Sequence, residues 1–283
     1  MKIIFAKEIG FCFGANRALK MAEDGLPVMK RPVRMYGSLV HNEEVAEGLR
    51  KKGIEIVKGL EGIKEGTLII TAHGLSPAIK NELKSRPGLD LLDTTCPIVA
   101  RVQKTAELLQ KKGKEVLIFG DPNHQEVLGI MGAAEDKAVI FSSKEELLKF
   151  EPDENKKYGL VAQTTQNYDK FKEFAKIAKK KIPQIAIFNT ICRPNLRRQA
   201  EIKKIAKKAE VVLVIGSPTS ANTKRLYQIS SKINPDTYLV KTARDLKKEW
   251  LENKNSVSIG AGASTSDEVI SAVVEKIKTL CEK

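Results

Sequence analysis

At 283 residues, with 42% hydrophobic and 30% charged side chains, the chain reads as an ordinary globular protein of one large domain or two to three small ones. No segment approaches the roughly 18 consecutive apolar residues of a membrane span, and the opening MKIIFAKEIGFCFG is interrupted by Lys7 and Glu8, unlike a secretory signal. The chain is therefore expected in the cytoplasm, and its 49 basic against 35 acidic residues, a net +14, favour an anionic partner: a phosphorylated metabolite, a nucleic acid or an acidic protein.

Short β-branched runs alternate with charged, periodic segments along the whole chain. Strands are predicted at residues 2–6, 33–36, 67–71, 89–93, 115–119, 158–162, 184–188, 211–215 and 256–259. Helices are predicted between them, at 42–52, 99–112, 170–181, 196–208 and 268–281. This alternation implies an α/β fold with mainly parallel sheets.

A self-similar unit recurs about every 90 residues. KIIFAKEIGFC, LDLLDTTC and IAIFNTIC are strands that run into Cys12, Cys96 and Cys192. Each is followed by a helical stretch and then by an apolar strand ending in glycine: VRMYG, VLIFG and VLVIG. Four residues past each glycine stand His41, His124 and Ser220, which follow their cysteines by 29, 28 and 28 residues. Glu43, Glu126 and Asn222 lie two residues further on. A second polar turn closes each unit: TAHG with His73, QTT with Thr164 and Thr165, and GAGAS with Ser264.

The chain thus divides into three βα units related by pseudo-threefold symmetry, at 13–96, 97–192 and 193–283. By the repeat, strand 2–6 within residues 1–12 completes the sheet of the third unit. Open α/β sheets bind ligands at the carboxyl ends of their strands. Three such units around one axis would aim three thiolates and their polar loops at a central cavity.

Four cysteines scattered through a chain kept in a reducing compartment are core residues, metal ligands or nucleophiles sooner than disulfides. Three at matched positions suit a 4Fe–4S cluster with three irons held by protein and one left open. Zinc is the competing metal, although the close CxxC pairs that it usually draws on are missing. Cys281 falls outside the repeat, on a periodic helix, and reads as a packing residue or a free thiol.

All three histidines of the chain sit in the repeated loops. There they suit phosphate binding and proton delivery. Ser220, Asn222 and Thr223, then Ser264 and Thr265, follow strands and open helices, a natural phosphate seat that is also an ordinary capping pattern. Neither GxGxxG nor a P-loop is present, so no nucleotide cofactor is expected. Glu126 is the strongest acid candidate, whereas Glu43 reads as a solvated helix-start residue. Thr165 reads as a hydroxyl-holding or proton-relaying group, or as a simple helix cap.

In order along the chain, GFCFGANRAL, YGSLVHNEEV, AHGLSP, DTTCPIVARV, GDPNHQEVLGI, AQTTQ, NTICRPNLRRQA, TSANTKRL and AGAST resemble the 4-hydroxy-3-methylbut-2-enyl diphosphate reductase family over the full length. The resemblance implies a trefoil of three α/β units around one 4Fe–4S cluster per chain, held by Cys12, Cys96 and Cys192. It maps diphosphate binding onto His41, His73, His124, Ser220, Asn222 and Ser264. It maps handling of the hydroxyl and of the proton onto Glu126 and Thr165, with His124 as a further relay.

The implied reaction removes the hydroxyl of an allylic diphosphate with electrons from ferredoxin or flavodoxin. It yields isopentenyl and dimethylallyl diphosphate, the last step of the non-mevalonate pathway. Two departures stand out: Ala221 replaces a second serine, and Arg193–Pro194–Asn195 replaces a commoner Ala-Thr-containing stretch.

Rival readings are a nucleic-acid binder, a cluster-dependent hydro-lyase that consumes no electrons, and a zinc-dependent phosphohydrolase. Against the first, the lysines of 176–181 and 203–208 recur at helical spacing, as on a solvated face, and aromatics are only 5%. Neither nucleic acid nor membrane is expected as a partner.

Overall fold

The computed structural model describes residues 1–39 and 42–281. The chain begins with strand β1 (Lys2–Phe5) and helix α1 (Phe13–Gly25), then β2 (Val33–Tyr36), α2 (Glu43–Lys51), β3 (Ile54–Val57), β4 (Gly66–Ile70), α3 (Pro77–Lys84) and β5 (Leu89–Asp93). It continues with α4 (Pro97–Lys111), β6 (Lys114–Phe119), α5 (Gln125–Ala133), β7 (Val139–Phe141), α6 (Lys144–Lys149), β8 (Lys157–Ala162), α7 (Tyr168–Lys181) and β9 (Ala186–Ile187). The last third holds α8 (Arg193–Ile205), β10 (Val211–Ile215), α9 (Ala221–Ser230), β11 (Thr237–Val240), β12 (Ser256–Ala261) and α10 (Asp267–Cys281).

The described strands form three four-stranded sheets, ordered β3-β2-β4-β5, β7-β6-β8-β9 and β11-β10-β12-β1. Every recorded strand pair is parallel. The fold is therefore α/β with parallel sheets, as the alternation implied. All three sheets share one order, and the last strand in each (β5, β9, β1) runs into a cysteine. β1 pairs with β12, Lys2 opposite Ser256, so the N-terminal strand lies in the sheet of the C-terminal third.

Parallel strands need helical crossovers, which cover both faces and leave continuous apolar runs inside. β10, VVLVI, is buried at every position. Its Val211, Leu213 and Ile215 pack with Val269, Ile270, Val273 and Ile277 of α10. The alternate Val212 and Val214 pack with Ile202 and Ile205 of α8 and Leu226 and Ile229 of α9. In the sheet containing β6, Val116 and Ile118 meet Val102, Leu109, Val127 and Ile130 of α4 and α5. Phe119 packs against Phe174 of α7 with the rings tilted by 31° and their centroids 4.6 Å apart. Each such buried side chain contributes roughly 1.5–3 kcal/mol.

The edge strands β3, β7 and β11 escaped the sequence reading. They are three or four residues long, and short edge strands carry little alternating pattern. The strand predicted at 184–188 shrinks to Ala186–Ile187.

The chain divides into two compact units: described residues 1–15, 42–45 and 192–281 in one, and 16–39 and 46–191 in the other. The first contains the sheet built on β10, the second contains the other two. Among the described residues no helix is long and apolar enough to cross a membrane.

Candidate active site

The larger unit, residues 16–39 and 46–191, brings together His73, Cys96, His124 and Glu126. β6 ends at Phe119, and the turn after it is pinned by the Asp121 amide, which donates to Gln163 Oε1 at 3.0 Å. That turn delivers His124 to the N-cap of α5, where its Nδ1 accepts the Glu126 amide at 3.2 Å. With Nδ1 accepting, the neutral ring carries its proton on Nε2. His73, on the loop after β4, meets the His124 ring edge-to-face, with centroids 5.3 Å apart.

Glu126 is 1% exposed. Its Oε1 accepts the Thr164 amide at 2.6 Å and its Oε2 accepts the Thr164 hydroxyl at 3.0 Å. Burial pushes its carboxyl up to about 7, against the two Thr164 bonds, which pull it down. The carboxyl is therefore protonated in a large share of molecules near neutral pH, as a general acid requires. The recorded partner of Glu126 is Thr164, next in the chain to Thr165, to which the resemblance gives the handling of the hydroxyl. Thr165 is half-buried in the same turn, and two adjacent threonines cannot be told apart without the direction of their side chains.

Cys96 caps α4, with Pro97 following it. Its amide donates to the Ala72 carbonyl at 3.0 Å, which stitches the cysteine to the loop that presents His73. Arg17 Nη1 reaches the Thr94 and Thr95 carbonyls just ahead of it, at 3.4 Å each.

The smaller unit repeats the same stitch. The Cys12 amide donates to the Ala263 carbonyl at 2.9 Å, beside Ser264. Cys12 Sγ accepts the Ala15 amide at 3.4 Å in the first turn of α1, and Cys192 caps α8. The Ser264 hydroxyl donates to Ser220 Oγ at 3.4 Å, and Ser220 caps α9 through the Thr223 amide. Asn222 Oδ1 accepts the Ala263 amide at 2.9 Å while its Nδ2 donates to Asn195 Oδ1. The predicted Ser220, Asn222 and Ser264 are thus gathered together, with Asn222 bracing the loop between them.

A cavity of about 100 Å³ opens beside Ser264, lined also by Asn42, Ser217, Lys241 and Thr242. Lys241 pairs with Glu43 at 2.5 Å. Sequence reasoning missed Lys241, since nothing marks one lysine among so many. His41 lies outside the described residues. Cys281 is exposed, its Sγ 3.7 Å from Met1 Sδ.

Cys12, Cys96 and Cys192 are half-buried and none is in a disulfide. Each stands at the amino end of a helix, whose partial positive charge favours a nearby anion. Among the described residues no three His, Cys, Asp or Glu side chains are grouped to hold a single metal ion. A cuboidal cluster makes a different demand, because each thiolate meets a different iron. Cysteine sulfurs on three equivalent turns are the donor type that such a cluster takes.

The sequence profile described as "LytB protein" matches residues 3–278. The 4-hydroxy-3-methylbut-2-enyl diphosphate reductase of Aquifex aeolicus is 38% identical over 284 residues, covering 99% of this chain and 97% of its own. The enzyme of the same name from Campylobacter hominis is 38% identical, covering 99% of this chain and all of its own. The solved E-1-hydroxy-2-methyl-but-2-enyl-4-diphosphate reductase of Plasmodium falciparum superposes with a TM-score of 0.92 at 30% identity, over 97% of this chain and 87% of that one. A second solved structure, described as (E)-4-hydroxy-3-methyl-but-2-enyl diphosphate reductase, the terminal enzyme of the non-mevalonate pathway, gives 0.69 at 37% identity over 99% of this chain and 100% of its own. The repeated sheets, the matched cysteine turns and this end-to-end similarity lead to one conclusion: the chain belongs to the LytB protein family.

Proposed function

We propose that the protein removes the hydroxyl of (E)-4-hydroxy-3-methylbut-2-enyl diphosphate reductively, giving isopentenyl and dimethylallyl diphosphate. The balance is one substrate, two electrons and two protons to one product and one water. The observation that carries this reading is Glu126, a buried carboxyl hydrogen-bonded to Thr164 and set beside His124.

Cys12, Cys96 and Cys192 would hold a 4Fe–4S cluster, which when bound supplies single electrons and a Lewis-acidic iron. The protein side chains then handle binding and protons. In its acid form Glu126 donates from Oε2 to Thr164 Oγ1, which frees the Thr164 proton to pass to the departing oxygen. Thr165, in the same turn, retains a proposed role in binding the substrate. His41, His73 and His124 bind the diphosphate, and Ser220, Asn222 and Ser264 supply neutral donors. The net charge of +14 suits both the anionic substrate and an acidic electron donor, ferredoxin or flavodoxin. We place the reaction in the cytoplasm, where thiols stay reduced.

The test is anaerobic purification followed by iron and sulfide analysis and turnover with a chemical reductant. About four irons per chain, with product formed only when reductant is present, is the expected result. Product formed without reductant would point to a hydro-lyase instead.

A further inference from the structure

Arg198 of α8 is buried to 4% exposure, yet among the described residues no carboxylate forms an ion pair with it. Its Nη1 donates to the Glu8 and Ala261 carbonyls at 3.2 and 3.1 Å, and its Nη2 donates to the Gly10 carbonyl at 2.8 Å. Its Nε has no hydrogen-bond partner. Glu8, whose carbonyl Arg198 holds, turns its carboxylate to the exposed Arg197 instead, at 3.0 Å. Burying a guanidinium without a carboxylate is costly, and burial does pull its pKa down, opposed by the charges of Cys12, Glu8 and Cys192. A guanidinium nevertheless keeps its charge in proteins.

The three carbonyls are not scattered. Glu8 and Gly10 lie on the segment between β1 and Cys12. Gly10 turns there with φ of 81°, and a side chain at that position would strike Asp267. Ala261 ends β12, two residues before the carbonyl that receives the Cys12 amide. Arg198 itself rides on the helix that Cys192 caps. One buried cation thus ties together the backbone around two of the three cysteines.

We infer that Arg198 is a positioning residue for the cluster, fixing the Cys12 and Cys192 turns while its buried charge raises the cluster's reduction potential. The inference rests on the proposed cluster being held by these cysteines. Reduction adds a negative charge, so a fixed cation nearby stabilises the reduced form, and its removal shifts the midpoint downwards.

The experiment compares wild type, Arg198→Met and Arg198→Lys, all cluster-loaded. It measures iron and sulfide content, the midpoint potential by anaerobic redox titration, and the rate of iron release to a chelator. Arg198→Met is expected to shift the one-electron equilibrium against reduction about tenfold, or about 59 mV. Arg198→Lys keeps the charge and loses the fork, so its midpoint should stay near wild type while iron leaves about tenfold faster. If Arg198→Met does not fold, Arg198→Lys decides alone: unchanged iron release, or a midpoint displaced tenfold, overturns the inference. A folded, loaded Arg198→Met with the wild-type midpoint also overturns it. A wild type that takes up no iron and sulfide overturns the cluster reading itself, an outcome distinct from either.

Discussion

Replacing Glu126 by glutamine separates the acid's chemistry from its packing. The variant keeps shape and volume, and its amide satisfies both Thr164 contacts: the carbonyl accepts the Thr164 amide and the NH₂ donates to Oγ1. What is lost is the proton. Because burial raises the folded-state pKa from 4.5 to about 7, the native state holds a proton that the unfolded chain has already released. Stability from this group is full below about pH 4.5 and is lost as the pH rises through 7. At 1.36 kcal/mol per pH unit, the wild type loses about 2–3 kcal/mol between pH 5 and pH 8 from Glu126. Glu126→Gln carries no such penalty, so its advantage over wild type should grow by that amount across the same range. The assay is urea unfolding of both proteins at pH 5 and pH 8, alongside turnover with a chemical reductant. Turnover should fall by about 10²–10⁴ while iron content is kept. A stability difference that does not change with pH, or near-normal turnover, would refute the assignment of Glu126 as a buried proton donor.

Thr164→Val removes both the proposed relay and the hydroxyl bond that lowers the Glu126 pKa, so turnover should fall by about 10²–10⁴ and the alkaline limb of the residual kcat/KM should move up by about one pH unit. Thr165→Val should leave that limb in place, and a pH profile in which only the Thr165 variant shifts would reverse the assignment. Serine at Cys12, Cys96 or Cys192 should lower bound iron and abolish turnover with the fold retained, measured by iron analysis and circular dichroism. Ile118→Ala, deep in the core between β6, α4 and α5, should cost about 2–5 kcal/mol in chemical unfolding without altering the site.

Much of the candidate site was legible because the chain repeats itself. A strand that ends in cysteine three times, with polar loops at matching distances, picks out Cys12, Cys96 and Cys192 and the loops of His73, His124, Ser220 and Ser264. The same repeat assigned the N-terminal strand to the C-terminal sheet, where β1 indeed pairs with β12. Sequence reading lost the thread where local signal is thin. β7 is three residues, VIF, and pairing with β6 rather than any pattern of its own makes it a strand. Lys241 and Arg198 looked like ordinary surface cations in a chain rich in them, and only burial and partners distinguish Arg198.

The amino-acid sequence by itself determined the parallel α/β architecture and the residue types at each loop, because strand and helix periodicity and fixed spacing are local properties of the chain. Tertiary structure alone decided what those residues touch. Glu126 and Thr164 are 38 residues apart, and Cys12 and Ala263 are 251 apart; their hydrogen bonds exist only once parallel strands align their ends. The raised pKa of Glu126 has the same origin, since desolvation belongs to the packed surroundings of a carboxyl and not to the residue.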